Sequence, residues 1–383
     1  MKTTSILFIF LAGLLLFACQ SESTDAYSLV KTGESLTFPL EPTTKNALLF
    51  LAPYTDTNGK EYLTFQNQTK NEIWFYDMES RKAAFRLTPA LDGANGVGRF
   101  LGYYIHTLDS IYLTNYDFQE IALIDTGLTV RNKWNYEQAQ DGTPLSFFCF
   151  VTHTYRPATV IGRKMYLYSG PDRFAEKAPV TTVMDMDTES IEALPFQYLK
   201  YPGEVAGLKK FGFESEYSRC FDGTRFLYSF YFDEDIYVAN PAHDSVYRVR
   251  LKSKYIPKVK LLNDVGVSPE EMCESPKYGN LLYDPYREVY YRIAWPSAEM
   301  DKNVRAMELM KYGRKRFSIL IIDKELKVIG ETLFPDYTYN PKLALIRPDG
   351  LYLSDSHYMN PDFSDDVLSF QKFELKKTEK TDK

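Results

Sequence analysis

Apolar residues along this chain fall in short strand-like runs separated by tight polar turns. Within the runs an aromatic–aliphatic pair recurs, as Glu61-Tyr62-Leu63-Thr64-Phe65, Ile111-Tyr112-Leu113-Thr114, Met165-Tyr166-Leu167-Tyr168, Arg225-Phe226-Leu227-Tyr228, Val289-Tyr290-Tyr291-Arg292 and Leu351-Tyr352-Leu353-Ser354. Each copy follows an earlier apolar run and a tight turn such as Asp222-Gly223-Thr224 or Pro348-Asp349-Gly350. A third strand comes after it, often closing on Asp: Ile73–Asp77, Ile121–Asp125, Val183–Asp187 and Ile319–Asp323. In the fourth copy the third strand is read at Ser245–Val249, and in the sixth at Val367–Phe370. Fourth strands follow at Ala83–Leu87, Thr129–Trp134 and Val328–Phe334.

The copies recur roughly every 50 to 64 residues, the period of repeated antiparallel meanders. The expected fold is all-β, a six-bladed β-propeller of four-stranded antiparallel blades. The last copy lacks a fourth strand, and a spare strand, Ser35–Leu40, precedes the first. That strand is expected to complete the last blade and close the ring, removing two open sheet edges. Two stacked β-sandwiches, the competing architecture, explain neither the six like units nor the spare strand.

The N-terminus has another character. Lys2 precedes an apolar stretch from Ile6 to Phe17, then Leu16-Phe17-Ala18-Cys19 and polar Gln20-Ser21-Glu22-Ser23. The stretch is too short for a comfortable membrane span and has the form of a secretory h-region ending in a lipoprotein box. Residues 1–18 are therefore expected to be removed and Cys19 to be lipidated. Residues 19–34 would form a flexible tether of roughly 20 Å, 35–375 one propeller domain, and 376–383 a polar tail. This places the protein in the cell envelope, lipid-anchored and most simply at the outer membrane.

Composition narrows the partners. A net charge of −6 with no basic stripe argues against nucleic acid and against electrostatic lipid binding, so the acyl chains must anchor. Beyond Cys19, the odd set Cys149, Cys220 and Cys273 cannot form a complete disulfide framework, and Cys149 and Cys220 sit in apolar runs suited to buried thiols. The domain is expected to be monomeric.

In such a meander, links between first and second strands and between third and fourth share one face, and here they are short. The other links share the opposite face and are long, as at 138–156, 198–216, 263–279, 296–315 and 355–366. Long loops on a rigid scaffold carry binding and catalysis. The candidate ligand-binding residues there are Arg99, Asp117, Tyr155, Arg156, Arg173, Arg219, Trp295, Tyr339 and Asn340; the same loops also carry Asn115, Tyr116, Asp172, Glu216, Tyr231, Asp233, Tyr278, Asp355 and Tyr358. Arg, Tyr and Trp together suit an anionic or sugar-like ligand.

Catalytic signals are few. His153 and His357 are the candidate acid–base groups, and His243 is expected on the surface near a turn. The histidines have no metal-ligand spacing. No cofactor is expected; Asp365/Asp366, Asp185/Asp187 and Asp233/Glu234/Asp235 are candidates for Ca²⁺, although acidic pairs more often cap turns.

The leading reading is an anchored protein that binds a small molecule, a glycan or a protein partner through the long-loop face. The alternatives are an extracytoplasmic hydrolase or lyase acting at that face, or a scaffold for an envelope complex. The tether is expected to leave from the short-loop side, so the candidate site faces away from the membrane.

With its lipobox, length and repeats, and with elements such as Tyr339-Asn340-Pro341 and Asp349-Gly350-Leu351-Tyr352, the chain resembles a domain-of-unknown-function family of six-bladed propeller lipoproteins of the Bacteroidota. The resemblance implies a propeller and an outer-membrane lipoprotein, and it supplies no activity or catalytic residues. The fold is also similar to the TolB-like six-bladed class, which hosts binders, lactonases and dehydrogenases alike.

Overall fold

The recurring aromatic–aliphatic pair marks the second strand of every blade, and burial explains its composition. In Glu61–Asn67 every residue after the first is buried, and Val289–Trp295 is buried throughout. A strand covered on both faces by neighbouring blades has no solvent side, so polar alternation disappears. Outer strands such as Ala83–Leu87 keep exposed residues.

The computed structural model describes residues 25–115, 117–145, 153–169, 177–199, 216–259 and 267–378. The chain begins with β1 (Tyr27–Pro39). Blade one is β2–β5 (Leu51–Thr55, Glu61–Asn67, Glu72–Asp77, Ala83–Leu87) and blade two is β6–β9 (Phe100–Thr107, Ser110–Asn115, Glu120–Ile124, Val130–Asn135). Blade three is β10–β13 (Thr159–Ile161, Lys164–Tyr168, Thr181–Asp185, Ile191–Ala193) and blade four is β14–β17 (Tyr217–Phe221, Phe226–Phe230, Asp235–Ala239, Val246–Arg250). Helix α1 (Pro269–Glu274) leads into blade five, β18–β21 (Lys277–Asp284, Val289–Trp295, Ser318–Asp323, Val328–Leu333), with α2 (Ala306–Tyr312) inserted after β19. Blade six is β22–β24 (Asn340–Arg347, Gly350–Ser354, Val367–Lys377) completed by β1.

All six sheets are four-stranded, antiparallel and in meander order. Six apolar clusters join successive blades, and the cluster between blades six and one unites Leu36 and Phe38 of β1 with Leu63, Phe65 and Leu343. The ring is thus closed by packing at every junction and by strand pairing at the last.

The closing strand is longer than expected. Its pairing with β24 runs from Tyr27↔Lys377 to Pro39↔Val367, with an irregularity between Lys31 and Ser35. Ala26 N donates to Ile329 O at 2.9 Å and Leu29 N to Thr332 Oγ1 at 2.9 Å, tying the strand's start to the outer strand of blade five. Residues 27–34 are therefore strand rather than tether, and Lys376 and Lys377 belong to β24 rather than to a tail. In blade four the third strand is Asp235–Ala239, and the run expected there forms the outer strand β17. The signal segment, Cys19 and Cys149 lie outside the described residues.

The two faces differ as the loop lengths require. Turns 285–288, 324–327 and 348–349 are tight on one face, whereas 251–276, 296–317 and 355–366 stand on the other. Blades one, two and four break the pattern, with short second-to-third links at 68–71, 116–119 and 231–234, so the described long loops gather at the link from blade four to five and over blades five and six. Tyr27 opposes Lys377, the end of a strand that starts beneath loop 355–366, so the chain enters the propeller at the short-loop face.

Candidate functional site

The segment His153–Pro157 crosses the axis of the ring. On one side Thr154 N and Oγ1 donate to Leu49 O at 3.3 and 3.0 Å, and Leu51 N donates to Thr154 Oγ1 at 3.1 Å, both at blade one. On the other side Tyr155 O accepts from Arg219 N at 3.1 Å and Ser218 Oγ at 2.5 Å, both in β14 of blade four. Blades one and four are opposite one another in a six-blade ring, so this segment plugs the centre. A row of rings follows the same path: Phe50 to His153 at 5.0 Å, His153 to Tyr155 at 4.9 Å, and Tyr155 to Tyr231 at 6.1 Å.

Above the plug, on the long-loop face, lies a chamber of about 270 Å³. Tyr155 and Leu49 contribute from the plug side, and Tyr231 and Glu216 from blade four. Blade five supplies Lys277, Gly279, Asn280 and Trp295, and Lys342 comes from the start of the innermost strand of blade six. The two helices cover it with Met272, Cys273, Leu309 and Met310, and Arg314 follows α2. Local chemistry sets these helices. Ser268 Oγ accepts from Glu271 N at 3.1 Å with Pro269 in the first turn, and Cys273 Sγ donates to Ala306 O at 3.5 Å, joining α1 to the start of α2.

The chamber is cationic. Its carboxylate, Glu216, is engaged by Arg156 Nη1 at 3.2 Å and the Tyr155 hydroxyl at 3.4 Å. Arg156 in turn lies 3.5 Å from the centroid of the Tyr168 ring. Lys277, Arg314 and Lys342 have no carboxylate partner among the described residues. Arg314 Nη1 donates to Ser275 O at 2.6 Å, while its Nη2 is buried with no hydrogen-bond partner there. Lys342 Nζ donates to Met310 O. Lys277 Nζ stands 5.2 Å from the centroid of Tyr231.

Burial and mutual repulsion disfavour so many cations. Burial first, then Arg314 and Lys342, hold the Lys277 ammonium well below its ordinary range. Burial and Arg314 bring Lys342 down to about 8. Burial lowers Arg314 to about 10, which leaves it charged at neutral pH. Burial raises the Cys273 thiol, so it stays protonated.

The expected site residues divide. Tyr155 and Trp295 line the chamber, and Arg156 stands behind Glu216. Asn340 is buried, with Oδ1 accepting from Lys342 N at 3.3 Å. Tyr339 sits in the core between blades five and six, edge-on to Phe334 and Phe373. Arg219 is a clamp between blades: its Nη2 donates to Pro157 O at 2.8 Å and Tyr166 O at 3.0 Å. Arg99 and Asp117 form an ion pair at 3.5 Å at the loop end of blade two, too exposed to matter much for stability. Tyr116, Asp172 and Arg173 lie outside the described residues.

Both candidate histidines are shut in. Burial, then the Arg156 charge, lowers His153 to about 3, and the ring is sandwiched in the plug. His357 is completely buried, with Nε2 donating to Gly313 O at 3.0 Å and Nδ1 accepting from Met359 N at 3.2 Å; burial lowers it to about 4. His357 has both ring nitrogens occupied, whereas His153 makes no hydrogen bond through either nitrogen among the described residues and its Nδ1 is buried. His243 is also buried, bonded to the Tyr228 hydroxyl and to Pro241 O, contrary to the surface position expected. The acidic groups are occupied as caps and pairs. Asp185 accepts from Asp187 N and Thr188 N, Asp233 from Asp235 N, and Glu234 pairs with Arg250. No three His, Cys, Asp or Glu converge as a metal site among the described residues.

Sequence reasoning passed over Lys277, Arg314 and Lys342. A signal was present: Lys277 and Lys342 each follow a proline near the start of the innermost strands of adjacent blades.

Fold and site together define a six-bladed β-propeller with a plugged axis and a cationic cup on its long-loop face. The chain belongs to the family described as Domain of unknown function (DUF4221), whose model matches residues 26–333. A crystal structure of a member of that family from Bacteroides vulgatus shares 24% identity and a TM-score of 0.79, covering 92% of this chain and 99% of that one. A protein from Bacteroides fragilis shares 11% identity and a TM-score of 0.51, over 94% and 98% of the two chains. Both likenesses concern the fold alone. No curated protein matches the chain.

Proposed function

We propose that the cup binds a small organic anion and that the protein works as a lipid-anchored anion receptor in the cell envelope. The buried, unpartnered Nη2 of Arg314, in a chamber that Lys277 and Lys342 also line, carries this reading. Uncompensated buried cations cost stability unless a ligand supplies the counter-charge. The other candidate activity, hydrolysis or lyase chemistry at the same face, needs an acid–base group; His357 is enclosed, and burial favours the neutral form of both His153 and His357. The cup faces away from Tyr27, so an anchor on Cys19 would leave it open to the compartment beyond the membrane surface.

The test is calorimetric titration with acetate, lactate, succinate, phosphate and sulfate from pH 6 to 10. A bound anion favours the ammonium form of Lys342 and raises it above the value of about 8 in the empty cup. Binding near pH 8 is therefore expected to take up protons, and affinity is expected to fall as pH rises beyond 8. Absence of binding by every anion across this range would overturn the reading. For the anchor, Cys19→Ala is expected to move the protein from the membrane to the soluble fraction, as fractionation and immunoblotting would report; unchanged partitioning would count against lipidation.

A further inference from the structure

We propose that Lys277 holds the cup's ligand covalently, as a reversible imine with the carbonyl of a small 2-oxo carboxylate. This rests on the anion-cup reading above and names the ligand class.

Three observations carry it. First, the Lys277 amine opens into the chamber with no hydrogen-bond acceptor among the described residues, its nearest partner being the Tyr231 ring at 5.2 Å. Lys342, by contrast, is occupied by the Met310 carbonyl. Second, burial and the charges of Arg314 and Lys342 oppose an ammonium at Lys277 more strongly than Glu216 favours it. Glu216 is taken by Arg156 and Tyr155, while Arg314 and Lys342 add positive charge. A lysine desolvated beside other cations presents the free amine at neutral pH, the form that attacks carbonyl carbon. Third, Arg314 offers a carboxylate anchor, with Nη1 fixed on Ser275 and Nη2 unpartnered. In a 2-oxo acid the electrophilic carbon is bonded directly to the carboxylate, so one small molecule meets both groups. The chamber of about 270 Å³ lies just below the ~300–1,000 Å³ of ordinary ligand sites, which favours a ligand of few atoms.

The chemistry needs no co-reactant beyond water and a proton. The Lys277 nitrogen lone pair forms a C–N bond to the carbonyl carbon, and the C=O π pair moves to oxygen. The nitrogen loses a proton and the oxygen gains one, giving a carbinolamine. The nitrogen lone pair then expels the hydroxyl, which takes up a proton and departs as water, leaving a protonated imine. Hydrolysis reverses each step and releases the ligand unchanged.

The test is reductive trapping on the intact mature chain. Protein is incubated with glyoxylate, pyruvate or 2-oxobutyrate and sodium borohydride, then digested and mapped by mass spectrometry. The expected result is a carboxyalkyl adduct on Lys277 with at least one probe, about tenfold or more above any other lysine. Prior saturation with lactate, which has the carboxylate but no carbonyl, is expected to suppress the adduct. Lys277→Met removes the amine without adding a charge and is expected to abolish trapping, with an unchanged melting temperature verifying its fold. Absence of a Lys277 adduct with all three probes while lactate binds overturns the imine and leaves the anion cup standing. Labelling spread evenly over surface lysines and insensitive to lactate overturns it equally. Failure of every anion in the calorimetric panel removes the cup itself.

Discussion

Arg314→Met is expected to weaken anion binding by roughly ten- to a hundredfold while leaving the empty protein as stable as the wild type or more so. The first expectation follows from the guanidinium's place in the cup. Nη1 is already held by the Ser275 carbonyl, so Nη2 needs little ordering to receive an anion. A hydrogen bond to a charged group contributes about 1.5–3 kcal/mol, which sets the factor. The second expectation follows from what surrounds Arg314 when no ligand is present. The side chain is buried, faces Trp295 at 5.9 Å and has no carboxylate partner among the described residues. Methionine retains much of the stem's packing and removes a charge that burial disfavours. Against this, the Ser275 carbonyl loses its donor, about 1 kcal/mol. Calorimetry with the best anion of the panel and thermal melting of the unliganded protein read the two quantities separately. A large loss of stability would make Arg314 a structural clamp, and unchanged affinity would remove it from the cup.

The propeller was legible because the second strand of each blade is covered on both faces. Tyr290 and Tyr291, or Leu351 and Tyr352, can be adjacent and apolar only where neither face meets water. The closing strand was legible from the strand count, although its true start at Tyr27 was not: residues 27–34 alternate weakly and are held by pairing with β24 and bonds to blade five. The face of the site followed from loop length. Its residues were harder to read, because a buried arginine that clamps blades and one that waits for a ligand look alike in sequence. Each keeps one buried nitrogen without a partner, but Arg219 is fastened to backbone carbonyls of the neighbouring blade, while Arg314 lines the chamber. The half-burial of Lys277 and Lys342 depends on α1 and α2, which at six and seven residues are too short to declare themselves by periodicity. His153 looked like a loop residue, and only its bonded neighbours reveal that the loop crosses the axis.

Arg292→Met is expected to be the most damaging single change for the fold, with a loss of about 3–5 kcal/mol in chemical denaturation. Arg292 belongs to β19 of blade five, is completely buried and lies 3.5 Å from the centroid of the Tyr278 ring. Its Nε donates to Ser229 Oγ at 2.9 Å, Nη1 to the carbonyls of Glu234 and Leu251 at 2.8 Å each, and Nη2 to the Asp233 carbonyl at 2.6 Å. All these acceptors belong to blade four or its flanking links, so one guanidinium fastens the fourth junction of the ring. Methionine fills much of the volume but leaves buried carbonyls without donors, and each unsatisfied group costs about 1–3 kcal/mol. Arg292→Lys supplies fewer donors without the planar fork and is expected to fall between methionine and the wild type. The same clamp positions the cup. Tyr231 immediately precedes this carbonyl cluster, Tyr278 follows Lys277, and Tyr278 N donates to Tyr231 O at 2.7 Å. Loosening the junction should therefore weaken anion binding as well, whereas Arg219→Met, at the junction of blades three and four, should cost stability with a smaller effect on binding. A loss below about 1 kcal/mol in Arg292→Met would show that the blades are held by apolar packing alone.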